Sequence, residues 1–304
     1  MPASTDANAP RMLDERAIAR ALRRQARQAE APWLHRETAQ RMAQRLAIIK
    51  TQPQRVLDWW AQLGGSDEAL AAAYPKAERI AVEPPQTWRA KPQRPWWSPQ
   101  RWLSDAPAPL HDDAVPDASA QLLWANMMLH AVADPQALFA RWHRALAVDG
   151  FVMFSTLGPD TLRELRALYA RLGWPLPMAD LVDMHDLGDM LVHAGFADPV
   201  MDQEPLTLTW ATPQALLAEL RTLGGNAHPQ RFAGLRTPRW RERLHQALRE
   251  MAGADGRIAL RFELVYGHAF KPTPRVRVAE QASVSLEDMK AMVRSGSSGP
   301  KRQP

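Results

Sequence analysis

The stretch Arg55-Val56-Leu57-Asp58-Trp59-Trp60-Ala61-Gln62-Leu63-Gly64-Gly65-Ser66 decides the fold. It opens as a short apolar strand ending on an acid, Asp58. A turn through Gly64-Gly65 leads into a helix running through Leu70 to Tyr74, with Ser66 placed to cap it and Asp67 and Glu68 suited to its N-terminus. A second strand, Arg79-Ile80-Ala81-Val82-Glu83, also ends on a carboxylate. Strand, tight loop, helix, and strand with an acid at its tip is how open α/β sheets hold a nucleotide-type cofactor. Such a loop is expected to be glycine-rich, yet two tryptophans stand where small residues are expected.

Upstream, residues 13–49 have a helical pattern. Ile18, Leu22 and Ala26 form one apolar stripe; after a break at Ala31-Pro32-Trp33, a second contains Ala39, Met42, Leu46 and Ile49. Downstream, residues 84–116 are irregular and rich in proline and tryptophan (Trp88, Trp96, Trp97, Trp102). An apolar run of strand length follows from Ala120 to Asn126, then a helix over 135–146 with Leu138, Trp142 and Leu146 on one face. Asp149-Gly150 turns into the strand Phe151–Thr156. This β-α-β rhythm predicts an α/β fold whose mostly parallel sheet is covered by helices on both faces. Gly158-Pro159-Asp160 opens a helix over 161–172, and another over 186–194 ends at Gly195, well placed as its C-terminal cap. The segments 205–210 and 257–267 alternate as strands, antiparallel at the sheet end, with helices over 213–223 and 238–251 between them. The expected organisation is one domain over 13–276 with helical insertions at 159–185 and 211–255. Residues 1–12 and the tail 295–304 are expected to be disordered.

The 304 residues allow a sizeable core, and 46% hydrophobic with 23% charged residues is ordinary for a soluble protein. No apolar run approaches the roughly 20 residues of a membrane helix, and Met1–Pro10 lacks the apolar core of a secretory signal, so the cytoplasm is the expected location. The absence of cysteine excludes disulfides, a thiolate nucleophile and cysteine-based metal sites. The Asp112-Asp113 and Asp183, His185, Asp186 groups match no metal-site spacing, so no metal is expected. An excess of 38 basic over 33 acidic residues, nearly all the cations being arginine, suits either solvated helix faces or an acidic partner. With no dense basic run and no aromatic–glycine signature, nucleic acid is not indicated.

Further segments sharpen this reading. Ala147-Val-Asp-Gly-Phe-Val-Met-Phe-Ser-Thr-Leu-Gly-Pro-Asp-Thr-Leu-Arg-Glu-Leu-Arg166 joins a strand to a helix. Trp124-Ala-Asn126 is followed by Leu129-His130, and later blocks are Asp186-Leu with Ala194-Gly-Phe196, Leu223-Gly-Gly-Asn226, and Tyr266-Gly-His-Ala269. Together they resemble the class I S-adenosylmethionine-dependent methyltransferases, and more closely the malonyl-[acyl-carrier-protein] O-methyltransferase family of biotin synthesis, over residues 13–272. The resemblance implies a Rossmann-like sheet of seven strands with the last antiparallel, S-adenosylmethionine as cofactor, and methyl transfer to the free carboxylate of a malonyl group on an acidic acyl-carrier protein. A monomer is expected. The family's first motif, Val-Leu-Asp-x-Gly-x-Gly-x-Gly, lies over residues 56–64 without a gap, so its glycines fall on Trp60, Gln62 and Gly64, of which only the last is kept. The acid that opens strand four in the family is Gln121 here.

By that resemblance the cofactor residues are Asp58, Trp60, Gly64, Glu83, Asp105 and Asn126. Glu83 would accept the ribose hydroxyls, Asp58 would hold the amino group and Asp105, as the acid after strand three, the adenine amine. Trp60 would either stack on the ligand or fill its pocket, and a side chain there is expected to remove the left-handed backbone conformation that glycine permits. Trp59 is expected in the core. The substrate side would be Asn126, His130, Thr156 and Arg163, the last pairing with the malonyl carboxylate. That acceptor is already ionised at pH 7, so no general base is required. Two functions stay open: an active methyltransferase, and a paralogue that keeps the fold but serves as an interaction or regulatory protein.

Overall fold

The computed structural model describes residues 11–87 and 108–274, together with Lys290; the expectations for Asp105, the four tryptophans between 88 and 102, and the 295–304 tail lie outside them. The chain divides into residues 1–272 and 273–304, and the elements below belong to the first unit. Seven strands form one sheet: β1 (Arg55–Trp59), β2 (Glu78–Glu83), β3 (Leu110–His111), β4 (Ala120–Ala125), β5 (Leu146–Leu157), β6 (Ala197–Trp210) and β7 (Ile258–Phe270). Their order is β3-β2-β1-β4-β5-β7-β6. Pairings from β3 to β5 are parallel, and β7 runs antiparallel to both β5 and β6. This is the mostly parallel seven-stranded sheet with an antiparallel last strand that the sequence led us to expect.

The helices are α1 (Glu15–Gln25), α2 (Trp33–Arg45), the single turn α3 (Ala61–Gly64), α4 (Asp67–Ala73), α5 (Pro135–Ala145), α6 (Arg163–Arg171), α7 (Met184–His193), α8 (Pro213–Thr222) and α9 (Pro238–Arg249). Alternation along the strands divides the core in two. Val56, Leu122, Trp124, Phe151 and Met153 pack beneath α2, α4, α6, α8 and α9. Leu57, Trp59, Leu123, Val152 and Phe154 pack beneath α1, α5 and α7. Side chains of successive strand residues point to opposite faces, so continuous apolar runs in β4 and β5 require cover on both sides. Trp59 is in the core as expected, its ring edge-on to Trp142 at 6.1 Å.

Local chemistry sets the ends of these elements. Asp14, Asp134 and Thr237 accept from the backbone N–H three residues on and so start α1, α5 and α9. Ser66 does not cap α4 through its side chain; its hydroxyl is buried and accepts from Trp124 Nε1 at 2.8 Å, because the indole of the central strand needs a partner more than a surface helix does. Gln121 accepts from the backbone N–H of Gln54 and Arg55 through Oε1, so a neutral amide ties the start of β1. β6 begins at Ala197, eight residues before the alternation starts to show, as this edge strand pairs with β7 alone.

Candidate functional site

The parallel strands end together on one side of the sheet, where open α/β folds place their ligands. Trp60 is the first residue beyond β1. Its backbone is left-handed (φ 59°, ψ 45°), contrary to the expectation that a side chain would exclude that conformation. The cost, about 1–2 kcal/mol, is offset by anchoring. Its N–H donates to Val82 O at 2.6 Å, its carbonyl accepts from Leu63 and Gly64, and its indole is 7% exposed in the α1–α5 core. The loop thus keeps the backbone path of a glycine while presenting an indole.

Gln62, at the second replaced glycine, fastens the loop twice: its N–H donates to Glu83 Oε1 at 2.8 Å and its side-chain amide donates to Ala26 O at 3.0 Å. The other oxygen of Glu83 accepts from the Thr87 hydroxyl at 2.9 Å. Glu83 is therefore enclosed at 5% exposure, and burial pushes its pKa up against the pull of those two donors. Asp58 is also buried, with Oδ1 unpartnered among the described residues, and burial, then Asp67 and Glu83, holds its pKa well above the usual carboxylate range. A raised folded-state pKa means that the stabilising contribution is complete below the unfolded value and is lost as pH rises through the folded one. Asp58→Asn is accordingly expected to raise the melting temperature at pH 7 and to flatten its dependence on pH above 4. An unchanged pH profile would show that Asp58 is solvated.

A cleft of about 440 Å³ opens above these strand ends. Trp59 and Trp60 at the end of β1, Pro84 to Gln86 after β2, Asp112 after β3 and, after β4, Met128 with Ala131 to Asp134 line it, and α1 closes it with Glu15, Ile18 and Leu22. Among the described residues the acid that follows β3 is Asp112; the expectation for Asp105 lies outside them. β3 pairs with β2 only at Leu110 and His111, since prolines at 107 and 109 precede it and supply no N–H for a ladder. Asp112 Oδ1 is buried without a hydrogen bond among the described residues, and its pKa is raised by burial. Arg141 stands 3.6 Å from its other oxygen.

Asn126, at the end of β4, is fully committed. Its amide donates to His35 O (2.8 Å) and Gly64 O (2.6 Å), and its oxygen accepts from the Ser155 hydroxyl (2.6 Å). No amide hydrogen remains for a ligand, so Asn126 is a clip joining α2, the loop after β1 and β5. Gly64 contributes the carbonyl; its hydrogen faces Asn126, where an added Cβ would come to 3.5 Å.

Beyond it, residues 129–131 make a 3₁₀ turn that places His130 beside His35, their rings edge-on at 6.5 Å. Sequence reasoning missed His35, which lies in the apolar stripe of α2. Its Nδ1 donates to Leu63 O at 2.7 Å, which leaves Nε2 a buried lone pair, and His130 Nδ1 is likewise unpartnered among the described residues. Burial depresses His35 to about 4, and burial, with His35 and Arg11 nearby, depresses His130 to about 3. Both rings are neutral at pH 7. Arg11, expected in a disordered terminus, instead donates to the carbonyls of Leu129, His130 and Val132 and braces the turn.

On the far side of that turn is a second cavity of about 310 Å³. His130 lies in its wall with Leu157, Leu165, Leu181, Leu220 and Phe262, while Arg24 and Arg221 also line it. Thr156 faces a small recess beside His130. Arg163 is outside: its side chain is about half exposed and lies 3.4 Å from both Asp160 and Glu164, because α6 begins there and turns it to solvent. The basic groups of the cavity come instead from α1 and α8.

No family model matches the chain. The malonyl-[acyl-carrier protein] O-methyltransferase of Gallionella capsiferriformans is 38% identical over 276 residues, 87% of this chain and 93% of the relative. The protein of the same name from Laribacter hongkongensis is 39% identical over 80% of this chain and 84% of its own, and that from Halorhodospira halophila 37% over 85% and 88%. The chain belongs to the malonyl-[acyl-carrier protein] O-methyltransferase family. Membership turns the two cavities into a question of which holds the methyl donor and which the acceptor. The cleft takes contributions from all four leading strand ends, while the apolar chamber is built by the helical segments that follow β5 and β6. No helix among the described residues is long and apolar enough to cross a membrane.

Proposed function

We propose that this chain transfers a methyl group from S-adenosylmethionine to the free carboxylate of a malonyl thioester borne on acyl-carrier protein. The observation that supports it is that one turn, residues 128–131, forms a wall of both cavities: Met128 and Ala131 face the cleft and His130 the chamber. A donor and an acceptor held on its two sides would meet across the end of β4.

The cleft suits the cofactor. Trp59, Trp60, Ile18, Leu22 and Met128 offer aromatic and apolar surface for a base, and Glu15, Asp112 and Asp134 offer negative charge to a sulfonium and an ammonium. The cofactor supplies an electrophilic methyl group. The chain supplies position and dryness: the acceptor oxygen is already anionic, so alignment and exclusion of water carry the rate. Arg24 and Arg221 draw the anion in, the leucines and Phe262 keep water out, and the histidines, neutral at pH 7, carry no imidazolium proton that would quench the carboxylate. Asp58 and Glu83 would act from behind the loop, through its geometry, since neither lines the cleft.

Trp60 tests this arrangement. Trp60→Gly is expected to weaken S-adenosylmethionine binding about tenfold, the value of one aromatic face against a base, and Trp60→Phe to recover most of it. Tighter binding by the glycine variant would mean that the indole obstructs the site. Calorimetric titration with the cofactor, followed by mass spectrometry of malonyl-carrier protein for methyl ester, tests the reaction. No heat at millimolar cofactor sinks it. The occupied oxygens of Glu83 favour a second reading, an interaction or regulatory protein that has given up the cofactor, and the same titration decides between them.

A further inference from the structure

The surface outside the chamber is strongly basic. Between residues 213 and 250 there are seven arginines (221, 231, 236, 239, 241, 243 and 249) against three acids, Glu219, Glu242 and Glu250. Arg231 pairs with Asp14 and Arg249 with Glu242, whereas Arg221, Arg239 and Arg241 make no ion pair among the described residues and are exposed. Arg236 is held over the rings of Phe232 and Trp240, at 3.8 and 4.3 Å, and Arg243 lies 5.7 Å from Trp174. Within this frame Leu235 is 97% exposed and Phe232 45%. Arginines ordered on aromatic faces around an exposed apolar centre have the composition of a protein-binding surface rather than of a solvated helix.

A groove of about 370 Å³ runs between α8 and α9, with Arg241 and His245 on one side and Leu217 and Arg221 on the other. Leu217 and Arg221 also line the apolar chamber, so groove and chamber adjoin at those two residues. From there the chamber reaches His130, on the turn across which the proposed reaction brings donor and acceptor together. We propose that the α8–α9 face docks an acidic carrier protein, and that its acyl-bearing arm enters along the groove past Arg221 and Leu217. This rests on the methyl-transfer reading and adds to it the place of docking. Positive charge at the entrance steers an acidic partner, and the exposed leucine and phenylalanine give the encounter an apolar contact.

The test compares a carrier-borne malonyl thioester with the malonyl thioester of a short thiol, using the double variant Arg239→Glu/Arg243→Glu, exposed positions of α9 that line neither the groove nor the chamber. Its melting temperature is checked against the parent. Expected are an affinity for malonyl-carrier protein, by calorimetry, weakened at least tenfold and a KM raised to match, with turnover of the short thioester within twofold of the parent. Carrier affinity unchanged by the charge reversal overturns the proposal, as does binding of an oligonucleotide that the variant loses while the carrier is ignored. If neither thioester is methylated, the methyl-transfer reading fails, and the carrier affinity still decides the docking face by itself.

Discussion

Asn126→Ala is expected to cost about 4 kcal/mol of folding free energy and to lower the melting temperature by roughly 10 °C. The change removes three buried hydrogen bonds at once, leaves the Gly64 carbonyl and the Ser155 hydroxyl proton without the partners it supplied, and strips the His35 carbonyl of the donor it has beside its own helical bond. An unsatisfied buried polar group costs about 1–3 kcal/mol, and a domain of this size loses about 2–4 °C per kcal/mol. Asn126→Asp should be as damaging at pH 7, where a carboxylate would face two carbonyl oxygens, and should recover part of the loss on acidification as the acid regains a donor. Urea unfolding at pH 7 and pH 4 measures both. A loss under about 1 kcal/mol for the alanine variant would mean that water replaces the amide and that the clip is not structural. Because the same amide holds Gly64, cofactor affinity should fall in both variants even where the fold survives.

The second large effect lies under the cleft. Trp142 on α5 is fully buried, packed on Phe139 (5.3 Å) and on Trp59 and Phe154 (both 6.1 Å). Trp142→Ala is expected to cost about 3–5 kcal/mol, the range for removing a buried indole whose cavity refills only in part. Its effect should reach the cofactor, since Trp59 rests on that ring and lines the cleft. The indole Nε1 has no partner among the described residues, so Trp142→Phe keeps the packing, discards a buried donor and should cost less than about 1.5 kcal/mol. Equal losses for the two variants would show that the nitrogen, not the ring area, matters at this position.

The sheet was legible because its strands announce themselves. Val56-Leu57, Leu122–Ala125 and Phe151–Phe154 are continuous apolar runs, and a parallel sheet covered on both faces buries both sides of such strands. The loop was legible too, down to its two replaced glycines. What those replacements do was not: Trp60 keeps the left-handed turn and Gln62 uses its N–H and its amide to bind Glu83 and Ala26. Asp105 lies outside the described residues, and the acid that follows the described β3 is Asp112, which the proline-rich stretch before it kept from being read as a strand end. Arg163 followed from its nearness to a recognisable block; helix phase turns it outward, and Arg24 and Arg221 arrive from elements far away in sequence.

The sequence alone determined the parallel sheet, the order of elements, the family and the segment that bends over the cofactor side. Those follow from local patterns, hydrophobic period and turn chemistry, which are properties of neighbours along the chain. Only the tertiary structure decided that Asn126 is a clip, that Glu83 is spent on its own loop, that Arg11 and His35 belong to the site, and that a single turn separates two cavities. Each of these depends on hydrogen bonds and packing between residues separated by some 21 to 121 positions, which no local period encodes.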